Sequence, residues 1–263
     1  MRRMLCLIAL LAAGAAQAGR NCDAPQPPRP ERVAQSMALA ERTARALDAS
    51  GAEAVLLGRA GQDLSKYGLR WSHLGFALRE AAPVGEVPGR WRVVHKLNAC
   101  GSDHAGLFRQ GLGEFFLDDP YRFEAIYAPL LPDAAARLRP LLDDRQRVAR
   151  WHEPRYSVVS YAWGGRYQQS NQWLLETLAG ALEPAAQNRE RAQAWLRLQG
   201  YAPDVLHINA LTRLGGRMTR ANVAFDDHPN GERFSGRIAT VGADSVLRWA
   251  QRAGIVGAPV LVQ

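Results

Sequence analysis

The apolar positions of this chain recur with two different periods. From Glu31 to Ser50, Val33, Met37, Ala40, Ala44 and Leu47 fall at helical spacing and Gly51 stops the run, which predicts an amphipathic helix. Ala54 to Leu57, Leu69 to Leu78, Arg90 to Leu97 and Phe123 to Leu130 are short apolar runs that read as strands, with a turn at Val87-Pro88-Gly89 between the second and third. Gln62 to Gly68 reads as a polar turn, Leu112 to Leu117 as a short helix, and Asp133 to Leu142 as a helix bounded by prolines. Ser157 to Ala162 reads as a further strand.

The helical period dominates later. Leu174, Leu178, Ala181 and Leu182 share one face of a helix over Asn171 to Leu182, with Trp173 alongside. A second helix over Asn188 to Leu198 ends at Gly200. Asp204 to Gly216 is ambiguous, Phe225 to Gly231 is a turn-rich loop, and Ile238 to Val241 and Ala243 to Ala253 give a last strand and helix. There is no internal repeat and no linker long enough to separate two domains. Strands gather in the first half and helices in the second, which favours α+β: a single domain over residues 31–263 with an antiparallel sheet packed against helices.

The N-terminus changes the picture. Arg2 and Arg3 precede an apolar run from Met4 to Ala16, and Ala16-Gln17-Ala18 offers a small-x-small cleavage site. This is the three-part pattern of an export signal over residues 1–18, and the run is short for a permanent span of about 20 residues. Residues 19–30 form an extended, proline-rich lead-in. No later segment is apolar enough to span a membrane. Removing residues 1–18 takes away two arginines and no acid, lowering the net charge from +8 to +6, and removes Cys6. Cys22 and Cys100 remain, and a periplasmic or secreted location predicts that they pair as a disulfide. Only Lys66 and Lys96 are lysines. The other cations are scattered arginines, without the clustered patch that nucleic-acid binding wants.

Two segments hold candidate chemistry. Tyr67-Gly68-Leu69-Arg70-Trp71-Ser72-His73-Leu74-Gly75-Phe76 places His73 in a strand, before a glycine that permits close backbone approach. Arg166-Tyr167-Gln168-Gln169-Ser170-Asn171-Gln172-Trp173 places Ser170 at a helix N-terminus, where free N–H groups stabilise negative charge. A nucleophile there would find an oxyanion site in backbone N–H groups, those of Gln169 and Asn171. The bland alternatives are a Ser170 N-cap and a half-buried His73 satisfied by a carbonyl.

In their order these segments resemble the circularly permuted papain-like hydrolases of the NlpC type, including YiiX-like proteins and lecithin retinol acyltransferase-like enzymes. The resemblance implies a permuted papain-like core. His73 stands at the base position, Ser170 stands where those enzymes carry cysteine, and His95, with Asn98 second, is the polar residue that orients the base. A closer resemblance covers nearly the whole mature chain. It rests on Arg59-Ala60-Gly61-Gln62-Asp63-Leu64, the His73 segment, Leu97-Asn98-Ala99-Cys100-Gly101, Phe115-Phe116-Leu117-Asp118-Asp119, Arg155-Tyr156-Ser157, the Ser170 segment, Gln193-Ala194-Trp195-Leu196 and Phe225-Asp226-Asp227-His228-Pro229. These resemble the bacterial domain of unknown function 2145 family, which implies an exported bacterial protein and supplies no activity.

Two functions follow as expectations. One is weak hydrolysis of an envelope amide or ester, with Ser170 attacking, His73 taking its proton and His95 or Asn98 orienting the ring. The other is non-catalytic binding of an envelope ligand or peptide in the same cleft. Serine weakens the first, because an alcohol stays protonated without a well-aligned base. Cys100 as an alternative nucleophile competes with its disulfide. Asp226-Asp227-His228 lacks zinc-ligand spacing and reads first as a turn; no metal is expected. Asp118-Asp119 reads as a turn. Gly164-Gly165 lacks the Lys-Ser/Thr ending of a phosphate loop, and no cofactor is expected.

Overall fold

The computed structural model of the protein describes residues 28–80, 90–118 and 120–263. Residues 1–18, expected to be an export signal, Cys22, most of the lead-in and the Val87-Pro88-Gly89 turn lie outside them. Helix α1 (Pro30–Ala49) opens with proline at its first turn and lays Leu39, Ala40, Thr43 and Leu47 against the core. It leads into β1 (Ala54–Arg59), every residue of which is buried. Strands β2 (His73–Arg79), β3 (Trp91–Asn98) and β4 (Ala105–Gly111) then lead into α2 (Leu112–Phe116), and β5 (Ala125–Pro129) follows. Next come α3 (Pro132–Asp143), α4 (Arg145–Val148), α5 (Ser170–Leu182) and α6 (Arg189–Leu198). The chain finishes with β6 (Asp204–His207), α7 (Ala210–Thr219), α8 (Asn230–Ser235), β7 (Arg237–Thr240), α9 (Ala243–Arg252) and β8 (Val260–Val262).

The fold is mixed α+β. One antiparallel sheet runs β4-β3-β2-β1-β5-β8, and β6 pairs with β7 in a separate two-stranded ribbon. The sheet lies between two helical layers. Strand alternation sends Val55, Leu57, Ala77 and Val93 to the side of α1 and α2, where they pack with Leu39, Leu47 and Phe115. It sends Leu56, Leu74, Phe76, Leu78 and Val94 to the other side, against Trp173, Leu174 and Leu178 of α5 and Trp249 of α9. Cover on both faces explains why β1 reads as an unbroken apolar run.

Several elements differ from the sequence expectation. Strand β2 begins at His73, since Leu69 to Ser72 stays outside the ladder. Ser157 to Ala162 forms turns in place of a strand: Val158 N donates to Asn222, Ser160 N to Ser157 and Ala162 N to Ala239. Strands β4 and β8 carried no clear signal; β4 is a mostly half-exposed strand with Gly106 at its second position and Gly111 at its last, and β8 has three residues. The ambiguous Asp204 to Gly216 stretch resolves into β6 and most of α7. Helix α5 is buried on every side from Ser170 to Ala179, so it is a central helix, where a helix with one apolar face was expected.

Candidate functional site

The β2–β3 ladder stops at the Phe76–Val94 pair, and the N-terminus of α5 fills the gap beyond it. Asn171 there accepts from Leu74 N at 2.9 Å and donates to Ser72 O at 3.3 Å. Its side-chain amide thus does for β2 what a neighbouring strand does elsewhere.

His73 and His95 lie side by side on β2 and β3. His73 Nε2 lies 2.9 Å from His95 Nδ1, and His95 Nε2 lies 2.8 Å from Gln110 Oε1 on β4. The pair is packed beside Phe115 of α2 and next to the buried Arg59, which is ion-paired to Asp118 at 2.5 Å. Arg59 also donates to Phe115 O. Burial pushes His73 well below the ordinary imidazole pKa, and the Arg59 charge pushes it further. The same causes bring His95 down to about 4, against a smaller upward pull from Gln110. Both rings are therefore neutral at pH 7.

Ser170 belongs to a different environment. Strand alternation puts His73, beside Arg59, on the α1–α2 side of the sheet, whereas α5 packs on the opposite side. Ser170 interacts with the buried Tyr156 phenol, and among the described residues no hydrogen bond joins it to either imidazole. It is the first helical residue, and the N-cap is Gln169. The two expected oxyanion donors are occupied. Gln169 N donates to Ser160 Oγ at 3.0 Å, and Asn171 N donates to Gln169 Oε1 at 2.7 Å. Asn98 does not orient His73; it donates to Ser102 O and His104 O and accepts from Asn222, clamping the turn after β3. Cys100 sits in that exposed turn.

The opposite side of β3 holds a polar network that the sequence reading missed. Lys96, fully buried, donates to Gln168 Oε1 at 2.8 Å and to Glu153 O at 2.6 Å. Gln168 continues to Glu176 at 2.5 Å, and Glu176 accepts from Arg189 at 2.8 Å and from Gln193 at 2.6 Å. Burial, helped by Arg189, lowers Lys96 to about 7, with Glu176 and Glu153 pulling the other way. One signal was available: Lys96 is one of two lysines in an arginine-rich chain and adjoins His95, so alternation sends it to the opposite face of the sheet. Asp226 and Asp227 are held by Arg166, Tyr167 and the backbone N–H of Tyr161.

A shallow concavity of about 220 Å³ lies near the start of β2, lined by Gln62, Asp63, Ser65, Arg70, Tyr121 and Arg122 together with the 64 and 68–69 positions.

The fold and this site define an α+β protein built around a central buried helix and a paired-imidazole cluster. The chain belongs to the family described as an uncharacterized protein conserved in bacteria (DUF2145), whose profile matches residues 46–250. No curated protein and no solved structure matches it.

Proposed function

We propose that the protein is exported to the cell envelope and acts there by binding a ligand or peptide, without hydrolysis through Ser170 and His73. The observation that carries this reading is the hydrogen bonding at the start of α5. A serine nucleophile needs a base within reach and unoccupied oxyanion donors. Here Ser160 and the Gln169 side chain already take the N–H groups of Gln169 and Asn171. The ligand place that fits is the polar hollow beside the entry to β2. There Arg122 and Asp63 offer opposite charges and Tyr121 an aromatic face, suited to a peptide backbone or terminus.

The second reading, a serine-variant papain-like hydrolase, is favoured by the 2.9 Å His73–His95 pair, which matches base and orienting residue in that pattern. A fluorophosphonate probe separates the two. The binding reading expects no labelling of the native protein. Labelling that is lost in both Ser170→Ala and His73→Ala would overturn it in favour of the hydrolase. The Cys22–Cys100 bridge belongs with export and stands or falls with it.

A further inference from the structure

Helix α7 is turned the wrong way round for a helix of a folded domain. None of its residues is buried. Leu211, Leu214 and Met218, one face at i, i+3 and i+7 spacing, are 82%, 57% and 77% exposed. The side toward the protein is small: a Cβ on Gly216 would already stand 3.3 Å from Val223. Arg213 turns inward and donates to Ile208 O at 2.5 Å. The neighbouring α8 adds Phe234, 70% exposed, with the Arg233 guanidinium 4.7 Å above its ring. The two are adjacent, because Gly236 at the end of α8 approaches the Arg213 side chain. Exposed apolar side chains that cluster this way mark an interaction surface.

The charge around the patch says what covers it. From Val205 to Phe225 the chain has no Asp or Glu but carries His207, Arg213, Arg217 and Arg220. Arg217 is exposed, flanks Leu214 on the helix surface and makes no ion pair among the described residues. An apolar stripe with cationic flanks is the pattern of a helix lying in the headgroup region of an anionic bilayer, its apolar face sunk below the phosphates. No helix among the described residues is long and apolar enough to cross a membrane, so such contact would be peripheral.

We propose that α7, with Phe234 of α8, is a docking face that rests on an anionic phospholipid surface. This goes beyond the binding reading and is independent of it, since none of these residues lines the polar hollow. The test is flotation with vesicles, using protein from which residues 1–18 have been removed so that the N-terminal apolar run does not contribute. Binding to vesicles containing phosphatidylglycerol should exceed binding to pure phosphatidylcholine by at least roughly tenfold, and should weaken as salt rises. Arg217→Gln should weaken it roughly fivefold. The double variant Leu211→Glu/Met218→Glu should abolish it while leaving the thermal melt unchanged, because both side chains are exposed.

Equal binding to neutral vesicles, no binding at all, or full binding by the double variant would each overturn the proposal. So would self-association that the double variant abolishes, which would assign the face to a second copy of the chain. Fluorophosphonate labelling does not depend on this face, so the failure of one idea leaves the other standing.

Discussion

His95 is held from both sides, by His73 through Nδ1 and by Gln110 through Nε2, in a pocket closed by Phe115 and charged by Arg59. Its folded pKa of about 4 lies below the unfolded value near 6.5, and His73 is shifted the same way. The unfolded chain therefore binds protons first as pH falls. The stability from keeping these rings neutral is fully present above about pH 6.5. It is lost as pH drops through the interval down to about 4, where His95 protonates in the folded state. The limiting slope is about 1.4 kcal/mol per pH unit for each imidazole. Urea unfolding at pH 7.5 and 5.0 should show this loss, and His95→Gln should remove about one imidazole's share of the slope. Equal pH dependence in the variant would show that the pair does not titrate as described. The strand run Arg90 to Leu97 pointed to a His95 on a sheet face; which face, and that His73 would be beside it, came from register.

Helix α5 illustrates packing at the scale of the element. Its apolar spacing was legible, and so was its start near Ser170. Its surroundings were not: α3, α6, α9 and the sheet enclose it, and Glu176 and Gln172 are buried as completely as its leucines. Gly180 tests that enclosure. In an exposed helix, alanine would be better than glycine by about 1 kcal/mol. Here an added Cβ would run into the Trp151 indole, which is pinned by its donation to Ala186 O at 3.0 Å. Gly180→Ala should therefore destabilise the protein by roughly 1–3 kcal/mol, the usual range for overpacking. A raised melting temperature would mean that Trp151 yields and the packing is looser than described.

For the whole molecule, one antiparallel sheet lies between unequal helical layers, and the two polar clusters fall on its opposite sides. His73 and His95 face α1 and α2, while Lys96, Gln168 and Ser170 belong to the α5 side. That division sets Ser170 and His73 on opposite sides of the sheet. A Cys22–Cys100 bridge would tie the segment before α1 to the turn after β3, closing a long loop and contributing about 4 kcal/mol in chain-entropy terms. Intact mass of the protein purified from an oxidising compartment should rise by two hydrogens on reduction, and an unchanged mass would dispose of the bridge.

The sequence by itself determined the α+β class, most of the helices, the central strands and the family, because periodicity and turn residues record local burial. It also marked His73, His95 and Ser170 as residues to watch. Only the tertiary structure decided which side of the sheet each one faces, that Gln169 and Ser160 occupy the N–H groups at the start of α5, and that Lys96 is buried among helices. Those outcomes depend on strand register and on contacts between residues far apart in the chain. A single step of register exchanges the two faces of a strand, and no local pattern records which partner arrives from elsewhere.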